Sequence, residues 1–133
     1  MNCLFCDFIT GEKDFFKIWE NDHFLAFLDI NPINPGHTLL VPKKHYSDIF
    51  EMDQDTYVDI FEVARLLANK IKKTLDAPRV GLAIEGFGVD HVHIHLVPVY
   101  GGNELNPERA KPASSEDLKI MQDKLVSSLH SST

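Results

Sequence analysis

Three stretches of the sequence predict an α+β domain. In His91-Val92-His93-Ile94-His95-Leu96-Val97, imidazoles alternate with aliphatics until Pro98, and a period of two marks a half-buried strand. Residues 15–20 and 23–30, rich in aromatics and joined at Asn21-Asp22, precede the apolar run 37–41; together they read as a β-meander. Across residues 53–75, Ile60, Phe61, Ala64, Leu67, Ile71 and Leu75 recur at steps of three and four, the apolar stripe of a long helix. The expected architecture is about five antiparallel strands, one long helix packed on the sheet, and a C-terminal helix.

The remaining elements follow from local chemistry. Asn31-Pro32-Ile33-Asn34-Pro35-Gly36 is a turn-rich loop. Asp53 or Asp55 supplies the N-cap of the long helix, and Lys70, Lys72 and Lys73 suit the negative end of its dipole. Asp76-Ala77-Pro78 ends it, and residues 79–84 form the fourth strand. A short loop, Glu85-Gly86-Phe87-Gly88-Val89-Asp90, leads into the histidine strand. Beyond Pro98 a Pro-containing loop runs to Ser114 or Ser115, where Glu116 and Asp117 open a helix with Leu118, Met121, Leu125 and Leu129 on its apolar side. Residues 131–133 are expected to fray.

Composition narrows the function. The chain has 133 residues, 44% apolar and 25% charged, with a formal net charge of -7. That is the size of one domain, residues 1–133. The acidic balance argues against broad attraction to nucleic acid or an anionic membrane. No apolar run is long enough for a transmembrane helix, and the N-terminus shows no secretory signal. Two cysteines make no disulfide framework, so a cytoplasmic protein is expected.

The histidine strand carries the chemistry. On a strand, His91, His93 and His95 face one way, about 6.6–7 Å apart, while Val92, Ile94 and Leu96 face a core. Aliphatics build a core more easily, because a buried imidazole needs partners for both ring nitrogens. A solvated polar face, a metal site, or acid–base and nucleophilic catalysis centred on His93 are the readings, and catalysis is preferred. Cys3 and Cys6 form a C-x-x-C, consistent with a redox pair, half a zinc site, or small apolar residues at a helix start. Asp29, at the end of the second strand, suits capping of the following loop. His23 reads as structural, and Lys43 and Lys44 as solvated.

The run 91–97 resembles the motif of the histidine triad (HIT) family, His-x-His-x-His with apolar x. Asp29-Ile30, Pro35-Gly36-His37 and Val41-Pro42-Lys43-Lys44-His45 are similar to further HIT segments, in the family's order; the likeness spans residues 3 to 101. It implies a HIT-like fold and a homodimer with a sheet continuous across the interface. It implies a nucleotide-binding hydrolase or transferase acting on the α-phosphate of nucleoside 5′-phosphoryl compounds. His93 would be the nucleophile that forms a nucleotidyl-histidine, and His95 would donate a hydrogen bond to a phosphate oxygen or leaving group. Asp29 would hold the ribose hydroxyls, Ile30 the base, and His37 would lie near the phosphate. HIT proteins with this Cys pair bind a structural zinc, here Cys3, Cys6, His45 and His91. No catalytic metal is required by that scheme. A purine nucleotide is expected, with AMP conjugates fitting best: phosphoramidates, aminoacyl-AMP or dinucleoside polyphosphates.

The chain departs from the family at two points. Ile84 stands where many members carry Asn, and the loop before the triad is compact, without the Gln or Ser that touches phosphate. Backbone N–H groups of Gly86 or Gly88 are the substitutes, since glycine permits close approach to a ligand. The departures also motivate an alternative, a nucleotide-binding regulatory module with little turnover. A zinc metalloenzyme using the triad as ligands is a further rival, and nucleic-acid binding a poor one.

Overall fold

The computed structural model describes residues 3–130; residues 131–133, expected to fray, lie outside them. The chain runs α1 (Leu4–Thr10), β1 (Lys17–Glu20), β2 (Phe24–Leu28), β3 (Thr38–Pro42), α2 (Gln54–Leu75), β4 (Arg79–Ala83), β5 (Ile94–Val99) and α3 (Ser115–Leu129). Single 3-10 turns occupy Ile49–Glu51 and Pro107–Arg109. The five strands form one antiparallel sheet in the order β1-β2-β3-β5-β4. The α+β architecture is therefore the one expected, with α1 in addition.

The sheet buries both faces. Phe24, Ala26, Leu28, Leu40, Ile94 and Leu96 meet Ile60, Ala64, Leu67 and Ile71 of α2, and Leu118 and Leu125 of α3. Leu25, Phe27, Leu39 and Val41 pack on the other side with Cys3 and Phe5. Double coverage explains why β2 and β3 read as unbroken apolar runs rather than alternating ones. Asp53 is the N-cap of α2, its carboxylate accepting from the Thr56 N–H at 3.2 Å. At the other end Asp76 takes a left-handed φ of 51°, a conformation a short polar side chain tolerates.

Tight turns position the site. Gly36 adopts φ 96°, a backbone conformation that strains any residue with a Cβ, and so suits glycine where this loop passes Leu75 at the end of α2. Below it, Asn34 is buried and donates to the Pro98 carbonyl at 2.9 Å and to Glu104 at 2.8 Å. This ties the loop before β3 to the segment after β5. Among the described residues, no helix is long and apolar enough to cross a membrane.

Candidate functional site

The triad strand begins later than expected. β5 opens at Ile94, so His91, Val92 and His93 lead into the ladder and are not part of it. The alternation of faces survives. Val92, Ile94 and Leu96 enter the α2 core, while His91 and His93 lie against Phe5 of α1, with centroids at 5.9 and 5.2 Å. The imidazole side is not an open stripe: His91 is 1% exposed and His93 5%, because α1 covers it.

His91 belongs to a cluster with Cys3, Cys6 and His45. One ligand atom from each lies within 4.8 Å of all the others. The His91 Nε2–H donates to the Pro42 carbonyl at 2.7 Å, which leaves the Nδ1 lone pair bare. That Nδ1 is 3.4 Å from Cys3 Sγ and 3.5 Å from Cys6 Sγ, and His45 Nδ1 is 3.5 Å from Cys6 Sγ. In a tetrahedral zinc site, sulfur and nitrogen ligands stand about 3.5 Å apart. A carbonyl on the far ring nitrogen is the usual brace of a metal-bound imidazole. Burial and Cys3 push the Cys6 thiol up to about 11, so a thiolate there calls for a cation. The four residues fit zinc.

Hydrogen bonds also assign the other imidazoles. The His93 Nδ1–H donates to the His91 carbonyl at 2.7 Å, so its Nε2 carries a lone pair. Nε2 has no partner among the described residues. His37 Nδ1 accepts from the Ile33 N–H at 3.0 Å; its proton is therefore on Nε2, which donates to His95 Nδ1 at 2.9 Å. The proton of neutral His95 is then on Nε2. Burial holds His37 down to about 4 and lowers His95 as well, with the neighbouring His93 adding to the latter effect. Both are neutral at pH 7. A bare nitrogen and an N–H donor thus stand side by side, their rings 5.1 Å apart.

Asp29 joins this group. Its Oδ1 caps the loop through the Asn31 N–H at 2.8 Å, and its Oδ2 is 3.7 Å from His37 Nε2. Asp29, His37 and His95 also bring ligand atoms within 4.8 Å of one another. The facing nitrogens of His37 and His95 already hold a proton between them, which disfavours a metal there. His23 is exposed against Phe24. Lys43 pairs with Glu20 at 2.9 Å, and Lys44 lies over the Tyr46 ring at 5.2 Å. None of these three reaches the imidazoles.

His93 and His95 form part of the lining of a cavity of about 460 Å³. Its wall is a group of aromatics that sequence reading passed over. Phe8 stacks on Phe15 at 4.8 Å, Phe27 meets both edge-on at 5.2 and 5.7 Å, and Phe5 lies 5.3 Å from Phe27. The density of Phe before residue 28 was the available signal. Ile30 is 57% exposed at the rim with Asp29. Gly86 and Gly88 take φ 86° and 87°, and a Cβ at either would meet open space. Their N–H groups have no partner among the described residues, and Phe87 between them is 82% exposed beside the cavity.

Fold and site define a class: an antiparallel sheet with an imidazole row beside an aromatic cavity. A family model described as the HIT domain matches residues 10–102. An HIT-like protein of Mycoplasma genitalium is 40% identical over 104 residues, 74% of each chain. One of Methanocaldococcus jannaschii is 40% identical over 105 residues, 76% of this chain and 81% of its own. Among solved structures, an HIT-like protein from Bartonella henselae described as involved in cell-cycle regulation aligns with TM-score 0.85 and 27% identity over 96% of both chains. A Zn-bound histidine triad family protein from Mycobacterium smegmatis aligns with TM-score 0.84 and 29% identity over 97% of this chain and 94% of its own. The chain belongs to the HIT family.

Proposed function

We propose that the protein hydrolyses nucleoside 5′-phosphoryl compounds, AMP conjugates above all, through a nucleotidyl-histidine. The observation that carries this reading is the bare Nε2 of His93 beside the His95 donor at the edge of the aromatic cavity. The base would stack among Phe5, Phe8 and Phe27 with Ile30 at the rim. Asp29 would accept from the ribose hydroxyls. His93 Nε2 attacks the α-phosphorus while the bond to the leaving group breaks. The departing atom keeps the electron pair, accepts a hydrogen bond from His95 Nε2–H and takes up a proton from water. Water then adds to phosphorus, gives up a proton to solvent, and frees His93. His37 keeps His95 in the tautomer that donates. Free N–H groups of Gly86 and Gly88 would meet the phosphate oxygens.

Zn²⁺ on Cys3, Cys6, His45 and His91 would be structural, pinning α1 to the sheet. We further read the chain as a homodimer, supported by the outer edge of β4, which has no partner strand among the described residues. Ile84 and the absence of a Gln or Ser in the loop favour a second reading, a nucleotide-binding regulatory module.

AMP release from adenosine 5′-phosphoramidate and diadenosine tetraphosphate tests the hydrolase. Release from at least one is expected, with kcat/KM lower by about 10³-fold or more in His93→Ala. AMP binding without release from either substrate would establish the regulatory module instead.

A further inference from the structure

His93 opens onto two cavities. The second, of about 290 Å³, is lined by Ser47, Asp48, Phe50, Ile84, Glu85 and Gly86 among others, and shares only His93 with the aromatic one. A substrate with its nucleoside among the phenylalanines and its phosphorus at His93 has this second space for the rest of the molecule. His93 is only 5% exposed, and its unpartnered Nε2 marks the junction as a place for a ligand.

The charges around the junction have one sign. Asp48 and Glu85 line the second cavity, Asp14 and Asp29 the aromatic one, and Asp29 and Glu85 a smaller opening onto His95. Among the described residues, no Lys or Arg lines any of the three. Polyphosphate recognition ordinarily uses Arg, Lys or a metal ion, and carboxylates repel such a group. Phe50, 82% exposed at the same rim, offers a ring face that attracts an ammonium. Asp48 spends one oxygen capping the 3-10 turn through the Phe50 N–H at 2.9 Å, which leaves the other for a ligand.

We propose that the cavity bounded by Asp48, Phe50 and Glu85 is a leaving-group subsite for amines bearing a second positive charge. The preferred substrates are then nucleoside 5′-phosphoramidates of basic amines. The inference rests on the hydrolase reading above. In the reaction His93 Nε2 forms a bond to phosphorus as the P–N bond of the substrate breaks. The electron pair stays on the amine nitrogen, which accepts a hydrogen bond from His95 Nε2–H, takes up a proton from water and leaves as a free amine.

Two AMP phosphoramidates of equal stem length separate the outcomes: one of n-butylamine and one of 1,4-diaminobutane. The cationic substrate is expected to show a kcat/KM roughly three- to tenfold higher, from two exposed carboxylates. The ratio should shrink in high salt and fall to near one in Asp48→Asn/Glu85→Gln, which keeps the cap and the shapes. Equal kcat/KM for the two substrates overturns the subsite and leaves the hydrolase standing. A ratio unchanged in the double variant also overturns it, as does faster turnover of diadenosine tetraphosphate. Turnover of no substrate overturns both readings.

Discussion

His93 keeps one nitrogen bare because the His91 carbonyl holds the proton on the other. His37 does the corresponding work for His95 by accepting from the Ile33 N–H. An imidazole this dry leaves a trace in stability. An unfolded histidine protonates near its usual 6.5, whereas folded His37 is held to about 4. Between those values the unfolded chain takes up a proton that the native state refuses. The contribution is complete above pH 6.5, declines as the pH falls, and levels out below about 4. The full shift is worth on the order of 3 kcal/mol. Urea midpoints at pH 7.5 and 4.5 check it: the wild type should lose more than His37→Gln over that interval, and parallel losses would refute the assignment.

At the scale of elements, α1 is the piece least able to stand alone. It has seven residues, far too few for an isolated helix. Its anchors are Phe5 against His91 and His93, and the two thiols against His91 and His45. If the cluster holds zinc, removing the metal releases α1 and with it the Phe5 and Phe8 wall of the cavity. Purified protein should contain about one zinc per chain. Chelation should lower Tm and expose the segment around Lys13 to trypsin, and Cys3→Ser should do the same without chelator. A metal-free preparation with the same Tm and nucleotide affinity would show that packing alone holds α1.

For the whole molecule, β4 is the outermost strand beside β5, and Leu82 on it is 43% exposed. An unpaired edge invites another strand unless something covers it. Leu82→Lys should therefore shift sedimentation from dimer to monomer while leaving the circular dichroism spectrum intact. A wild-type chain that sediments as a monomer at micromolar concentration would refute the pairing.

Much of this molecule was legible in the residues. The alternation from His91 to Leu96 separated the core face from the imidazole face. The stripe from Ile60 to Leu75 specified α2; of the cap candidates Asp53 or Asp55 and Ser114 or Ser115, Asp53 and Ser114 cap the helices. These are local facts, because side-chain direction follows backbone period. Helix α1 is not legible in the same way: seven residues carry too little periodicity, and packing decides them. The aromatic wall draws on Phe5, Phe8, Phe15 and Phe27, from α1, the segment after it, and β2. Their meeting depends on how α1 lies across the sheet. The state of each imidazole was also beyond local reading. Which nitrogen bears the proton depends on carbonyls and amides brought from elsewhere: Pro42 for His91, Ile33 for His37, and His37 in turn for His95. The sequence alone determined which residues share a face; only the tertiary structure decided which lone pairs are free, because hydrogen-bond partners are chosen by three-dimensional proximity.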